Sequence, residues 1–477
     1  MEYETIIGLE VHAELSTETK IYCSCRNSFG REENTQICPI CMGLPGTLPT
    51  LNERVVEYAI RMGHALNCTI NNICRLDRKN YFYPDLPKAY QITQADIPLC
   101  GNGYVDFMVD GAEKRVGITR IHIEEDAGKM THSDELNRSL VDFNRCGVPL
   151  IEIVSEPDMR SSAEAKAFLD TLKSILQYLD ISDCKMQEGS IRCDVNVSVR
   201  PKGSSTLGTR CEMKNVNSFS AAARAIDYET QRQIAVLESG GVIMQETRRW
   251  DDARGENFTL RTKENAQDYR YFPEPDLGTI CIPAEKSEAL KATVPELPNA
   301  KIRRYVNELG LPLTDAQLIA QNIPRCRLFD ECVSLGGCSA KSISNWVLAD
   351  VSNFMNESGK DIAETDLTAE KLVRIISLIE QGRISNASGR IIFGEVLKGN
   401  TDIEAIIREK RLEQISDDGA VGRLVSEVLA ANRKSVDDYR SGKTNALGYL
   451  VGQCMKMSGG QANPAKCREL VLAELEK

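Results

Sequence analysis

An α+β chain is predicted: a mixed, mainly antiparallel sheet domain, then an all-α domain and a small all-α tail. Three observations carry this. Alternating apolar and polar stretches, the period of half-buried strands, dominate residues 1–293. A proline-punctuated run, Val294-Pro295-Glu296-Leu297-Pro298-Asn299, interrupts that texture. Beyond it, segments with helical spacing follow one another to the end, which divides the chain into 1–293, 294–407 and 408–477.

The chain has 477 residues and 42% hydrophobic residues, enough for two to four domains with ordinary cores. Its apolar runs are only a few residues long, so no membrane span is expected. The acidic start Met1-Glu2-Tyr3-Glu4 lacks the basic and apolar regions of a signal peptide, which points to a cytoplasmic protein. Most of the 17 cysteines then read as buried free thiols. The net charge of −11 argues against wholesale electrostatic capture of nucleic acid but leaves room for local basic patches.

The first alternating stretch, Thr5 to Leu15, puts Glu10 and His12 on one strand face, where carboxylate and imidazole together can hold a divalent cation. By itself such a pair is more often a solvated face, and the further strand carboxylates below give it weight. Cys23-Ser24-Cys25 and Cys38-Pro39-Ile40-Cys41 then supply two close cysteine pairs. Cys23, Cys25, Cys38 and Cys41 can close tetrahedrally on Zn²⁺, and four thiolates leave no open position, so this zinc is expected to be structural. Val55 to Leu66 has helical periodicity. The loop from Arg78 to Gln91 interleaves Tyr81, Phe82, Tyr83 and Tyr90 with Lys79 and Lys88. Its aromatics offer stacking faces and its lysines offer charge to phosphates, although a surface loop pinned by aromatics has the same composition.

Gly117 to Gly128 is another alternating strand, ending in Glu124, Glu125 and Asp126. Three adjacent carboxylates repel, and a cation is a common reason for such a cluster, although a solvated acidic turn has the same composition. Glu152 stands among apolar neighbours in Pro149 to Val154, where an unpaired charge is costly. Ala163 to Leu179 reads as an amphipathic helix. In Ile191 to Arg200, strict alternation collects Arg192, Asp194, Asn196, Ser198 and Arg200 on one face. A long helix, Phe219 to Glu238, follows with Asn217 or Ser218 as N-cap. The stretches 245–251 and 268–276 mix arginine with aromatics, the composition of phosphate and base contacts. No phosphate loop of the Gly-x-x-x-x-Gly-Lys-Ser/Thr kind and no dinucleotide fingerprint occurs, so any nucleotide is held in an unusual site.

Beyond residue 299, helices are expected over 300–309, 341–355, 368–381, 385–397, 421–432, 445–457 and 464–475, with Thr368 and Ser435 as caps. From about Arg408 the chain is less acidic, and Lys443, Lys456, Lys466 and Arg468 make contact with a polyanion conceivable beside the plainer reading of a solvated bundle face.

Several long motifs then resemble one family: Glu10-Val11-His12, Tyr81-Phe82-Tyr83-Pro84-Asp85, the run Glu124 to Lys129, the run Leu150 to Asp158, Arg248-Arg249-Trp250, the run Asp268 to Asp276, Gly452-Gln453, and Gly460-Gln461-Ala462-Asn463-Pro464. Together they resemble the B subunits of bacterial aspartyl/glutamyl-tRNA amidotransferases, from the first strand to the last helix. The resemblance implies a catalytic cradle, a helical domain and a tail that touches tRNA. It implies a heterotrimer with an amidase, the A subunit, which releases ammonia from glutamine, and with a small C subunit. It also implies ATP-dependent phosphorylation of the side-chain carboxylate of Glu on tRNA(Gln) or Asp on tRNA(Asn), followed by displacement of phosphate by channelled ammonia.

Carried onto this chain, the family's Mg²⁺ site falls on Glu10, His12, Glu125 and Glu152. Imidazole is an unusual Mg²⁺ ligand, which leaves positioning or proton transfer open for His12. Lys79, Lys88 and Asp194 match the ammonia route, and Lys214, Arg248 and Arg249 are candidates for phosphate, with Tyr81 and Tyr83 beside the substrate. Family members differ in whether they carry the four cysteines, consistent with zinc as a clip and not a catalyst. A tRNA-docking scaffold would not need the buried acids, and a phosphoester hydrolase would not need the tail or the aromatic–lysine loop.

Overall fold

The structure, a computed structural model, describes residues 2–133, 135–262, 266–414, 418–459 and 461–476. Gly460 of the tail motif lies outside the described residues. The chain divides into two compact units, Met1–Ala300 and Lys301–Lys477. The division falls inside the helix Pro298–Asn307, a few residues beyond the proline-marked boundary read from the sequence.

In the first unit the chain runs β1 (Tyr3–Glu14), α1 (Glu53–Ala65), β2 (Thr69–Ile70), β3 (Ile73–Cys74), β4 (Asp77–Asn80), β5 (Tyr90–Thr93), β6 (Cys100–Val109) and β7 (Ala112–Glu125). It continues β8 (Lys129–Ser133), β9 (Arg138–Asp142), β10 (Pro149–Ser155), α2 (Ser162–Tyr178), β11 (Ile191–Pro201), β12 (Cys211–Lys214), α3 (Phe219–Glu238), β13 (Glu246–Asp251), β14 (Glu256–Thr262), β15 (Phe272–Pro273) and β16 (Ile280–Cys281). Among the described residues these build a nine-stranded sheet in the order β14-β13-β12-β11-β1-β10-β7-β6-β2. Every neighbouring pair is antiparallel except β12 with β13, so the sheet is mixed as the alternation predicts.

The sheet's two faces explain why β1 lies at its centre. Ile7, Leu9, Val11 and Ala13 are at most 1% exposed and join Ile151, Ile153, Val195 and Val197 in one core. The helices cover this face: Val55, Ala59 and Ile60 of α1, Phe168, Leu169 and Leu172 of α2, and Ala222 and Ala225 of α3 belong to the same cluster. Each large side chain removed from water there contributes roughly 1.5–3 kcal/mol. Phe168 of α2 meets Phe107 of β6 edge to face at 6.0 Å. Ser161 and Ser218 cap α2 and α3 by accepting from the backbone N–H of Glu164 and Ala221. The other face keeps the alternate residues Glu10, His12 and Glu14.

A small sheet, β15-β4-β5, is tied to the end of β7 by the Ile92 N–H and the Thr93 hydroxyl, which donate to Glu125 and Glu124. Arg78 of β4 donates to Glu274 at 2.6 and 2.9 Å and to Asp276 at 3.0 Å. The acids of the 268–276 stretch therefore hold this sheet together, where the sequence suggested phosphate and base contacts. The second unit is helical throughout its described regular elements. The helix expected at 341–355 is interrupted by a π-helical turn, Val347–Val351. Thr368 caps the helix Ala369–Glu380 as expected, but Ser435 lies inside the helix Arg433–Arg440, whose N-cap is Asn432. The last helices enclose their own core of Val421, Val425, Val428, Leu450, Cys454, Cys467 and Val471.

Candidate active site

Strand register assembles the site. His12 of β1 pairs with Glu152 of β10, which pairs with His122 of β7, so the three side chains share the helix-free face. His12 Nε2 lies 3.3 Å from Glu152 Oε2, and His122 Nε2 lies 3.6 Å from the same oxygen and 3.3 Å from Glu124 Oε1. Single ligand atoms of His12, Glu124 and Glu152 all fall within 4.8 Å of one another. Glu124 is oriented from behind by Thr93 Oγ1, which donates at 2.7 Å, and Gln91 Nε2, which donates at 3.2 Å.

The acid brought to this cluster is Glu124, where the family resemblance implied Glu125. Successive residues on a strand point to opposite faces. His122 and Glu124 share one face, and Glu125 faces the other way, where it is ion-paired with Lys88 and accepts from the backbone N–H of Ile92 at 2.9 Å. The sequence did carry this signal, because Arg120, His122 and Glu124 alternate with Ile121 and Ile123.

Glu10 falls in a second cluster. It pairs across β1 and β11 with Asp194, and ligand atoms of Glu10, Asp194 and Glu212 again lie within 4.8 Å of one another. Asn196 donates to Glu10 at 3.0 Å and Thr247 to Glu212 at 2.8 Å. Lys214 is ion-paired with Asp194 and stands 3.3 Å from Glu212. Asp194, expected on an ammonia route, is thus a member of an acid cluster. Burial raises the Glu10 carboxyl, and Glu152, Glu212 and Asp194 raise it further.

Electrostatically the face gathers buried acids with the histidines and lysines that balance them. Burial works against ionisation of Glu152, yet the charges of His122, His12 and Lys79 hold it far below the usual carboxylate range. Burial likewise opposes Glu124, and Lys79 with His122 holds it low. Burial pulls His12 down, but its bond to Glu152 and the surrounding acids carry it above its ordinary value. Lys79 reaches over the first cluster from β4, its ammonium 5.8 Å from the Tyr81 ring centroid and 5.2 Å from that of Tyr269. Glu124 and Glu152 raise it far above an ordinary lysine despite its burial. These oxygen-rich donor sets fit a hard divalent cation such as Mg²⁺, which takes one or two carboxylates and leaves positions for water and phosphate.

The remaining expected residues divide. Tyr81 lies beside the cluster, its hydroxyl donating to Gln91 at 3.3 Å, and Tyr83 is half exposed with its ring 5.9 Å from that of Tyr81. Arg249 is exposed and stands opposite Lys214 on the same face. Arg248 does not reach this face. It pairs with Met213, points toward α3, and spends its guanidinium on Glu246, Asn257 and Thr259.

The four cysteines converge as their spacing predicts, with sulfurs within 4.8 Å of one another. A hydrogen bond from Cys23, helped by Lys20, pushes the Cys41 thiol down to about 5 against its burial. Its neighbours Cys23 and Cys25 are pushed the other way, and it is the closeness of four sulfurs, with the Lys20 ammonium beside one of them, that fits Zn²⁺.

Beside the clusters, Glu14 and Asp126 meet under Arg192 and Arg145. Burial and Asp126 raise Glu14 to about 8 although both arginines oppose it. Its unfolded value is near 4.5, so the stability this proton lends is complete below that pH and is lost as pH rises toward 8. Glu14→Gln is expected to flatten the fall in melting temperature between about pH 5 and pH 8, as scanning calorimetry can read.

Comparison with known proteins decides the family. Residues 5–288 match the model of the GatB/GatE catalytic domain, and residues 327–475 match that of the GatB domain. The chain is 54% identical over 477 residues to the B subunit of the aspartyl/glutamyl-tRNA(Asn/Gln) amidotransferase of Thermoanaerobacter pseudethanolicus, covering all of both chains. The chain belongs to this family of amidotransferase B subunits. Relatives of the same name from Moorella thermoacetica (50% over 477 residues) and Clostridium botulinum (49% over 478 residues) are also matched over their full length. The family's catalytic-domain match spans both acid clusters and the four cysteines. Among the described residues no helix is long and apolar enough to cross a membrane.

Proposed function

We propose that this chain is the kinase–transamidase subunit that converts Glu-tRNA(Gln) to Gln-tRNA(Gln), Asp-tRNA(Asn) to Asn-tRNA(Asn), or both. It does so in the cytoplasm, in a heterotrimer with the amidase (the A subunit) and the small C subunit. The observation that carries the reading is the pair of acid clusters on one sheet face, each with its own lysine, in a chain that matches B-subunit relatives end to end.

A carboxylate is a poor acyl electrophile until one oxygen becomes a phosphate leaving group. In the first step a side-chain carboxylate oxygen of the aminoacyl group attacks the γ-phosphorus of ATP, and ADP departs. In the second, ammonia attacks the carbonyl carbon of the acyl phosphate, inorganic phosphate departs, and a proton is released as the amide forms. Phosphoryl transfer is chiefly positioning and charge neutralisation. Mg²⁺ would be held by Glu124 and Glu152 with His12, and by Glu10, Asp194 and Glu212 when nucleotide is present, and it would neutralise phosphate charge. Lys79 and Lys214 supply fixed positive charge on either side. Arg249 is free to approach phosphate from the sheet edge. The groove lined by Gly8, Pro157, Ser198, Leu207 and Arg210 runs on from Glu10 and offers the nucleotide an apolar wall with polar groups at its rim. Lys88 and Glu125 bring an ammonium and a carboxylate together where ammonia has to stay unprotonated. The catalytic, helical and tail divisions at 1–293, 294–407 and 408–477 are part of this proposal, with the tail on the tRNA body and zinc on the four cysteines.

The test assembles the chain with its amidase and small-subunit partners and follows phosphate release and amide formation. ATP cleavage that requires Mg²⁺ and the misacylated tRNA is expected. Cleavage that persists unchanged when Glu124 is replaced by Gln would leave the chain a tRNA-docking scaffold.

A further inference from the structure

The four-cysteine knuckle and the Lys88–Glu125 pair face each other across one cavity, lined by Tyr22, Cys23, Cys41 and Gly43 on one side and by Lys88 and Glu125 on the other. The contacts between them are close. Gly43, two residues after Cys41, has φ +65°, and a Cβ there would overlap Lys88 Cγ and stand 3.2 Å from the Lys88 Cα and Cβ. The stem of Lys88 is therefore packed on the bare backbone of the knuckle turn, which Met42 N–H to Cys38 and Leu44 N–H to Pro39 hold at 3.1 and 2.9 Å. Tyr22, adjacent to Cys23, lies with its ring centroid 5.6 Å from Lys88 Nζ, and Tyr90 closes the other side at 5.3 Å. Gly147 completes the frame: a Cβ there would stand 3.6 Å from Cys41 Cβ and 3.9 Å from Glu125 Oε2.

We infer that the knuckle is the positioning frame of the Lys88–Glu125 pair, with Gly43 and Tyr22 as its positioning residues. Binding of all four thiolates to one ion ties the backbone around Tyr22–Cys23 to that around Cys41–Gly43, and both segments touch Lys88. Loss of the ion frees the two walls from each other, so Lys88 loses the packing of its stem and the aromatic face beside its ammonium. Gly43 is required twice over, by the left-handed backbone and by the space that Lys88 occupies. The consequence for ammonia rests on the proposed function; the geometric claim does not.

The test reads Lys88 directly. In the assembled complex, lysines are acylated under native conditions with an acetyl ester, and Lys88 is quantified by peptide mass spectrometry against Lys166 and Lys341, which pair with Asp170 and Asp315, outside both acid clusters and the cysteines. Removing zinc with a chelator is expected to speed acylation of Lys88 about tenfold, as for an ammonium released from a charge-assisted hydrogen bond, and added Zn²⁺ restores protection. Gly43→Ala is expected to show the same acceleration while retaining its zinc. A Lys88 rate that moves no more than those of Lys166 and Lys341 on stripping overturns the inference, as does a parent chain that holds no zinc. Should Gly43→Ala fail to fold, the stripped and zinc-restored parent decides alone. Lys88→Met that leaves glutamine-dependent amidation intact would remove the ammonia reading and leave the acylation contrast standing.

Discussion

Glu124→Gln is expected to lower tRNA-dependent ATP cleavage by about 10²–10³-fold, the scale of losing one preorganised charge-stabilising group. Glu125→Gln is expected to leave that cleavage near the parent rate and to lower glutamine-dependent amidation. Neighbours in sequence thus part in function because strand alternation sends them to opposite faces. Glu124 lies with His12 and Glu152, ligand atoms within 4.8 Å, and Glu125 lies with Lys88. Phosphate release and amide formation measured side by side for both variants check the contrast. Equal loss of both activities in Glu125→Gln, with the complex intact, would argue that the two carboxylates act as one site.

Arg248→Ala is expected to fail by unfolding. The guanidinium sits on the helix-covered face with Glu246, Asn257 and Thr259, and Glu229 of α3, fully buried, lies 3.6 Å away. Removing the guanidinium takes the ion pair from Glu246 and the donor from Asn257, while Arg232 still holds Glu229, at a cost of about 1–3 kcal/mol for each buried group left unpaired. The urea midpoint should fall accordingly. Arg249→Ala, at an exposed position, should move stability by no more than about 0.5 kcal/mol, so any loss of activity there reports on substrate.

The sheet and its central strand were legible because alternation is visible in single residues: Ile7, Leu9, Val11 and Ala13 against Glu10, His12 and Glu14. The four cysteines were legible because local spacing alone brings their sulfurs together. The membership of the acid clusters was less so, since it depends on register between strands far apart in sequence. That Glu212 joins Glu10 follows from β12 pairing beside β11, and no local pattern announces it. Glu124 could have been preferred to Glu125 by parity with His122; the motif resemblance alone did not distinguish adjacent acids. Arg248 and Arg249 look equivalent in composition, and only the pairing of Arg249 with Lys214 separates the exposed arginine from the structural one. Where three acids adjoin, as at Glu124 to Asp126, the fold gives each a different partner: His122, Lys88 and Arg192.

The sharpest test of two cation sites on one sheet face is the location of manganese, standing in for Mg²⁺, by anomalous scattering from crystals grown with Mn²⁺. A peak is expected among His12, Glu124 and Glu152, and a second among Glu10, Asp194 and Glu212 when nucleotide is added. A peak on Glu125 beside Lys88, or none on this face of the sheet, would rule that arrangement out.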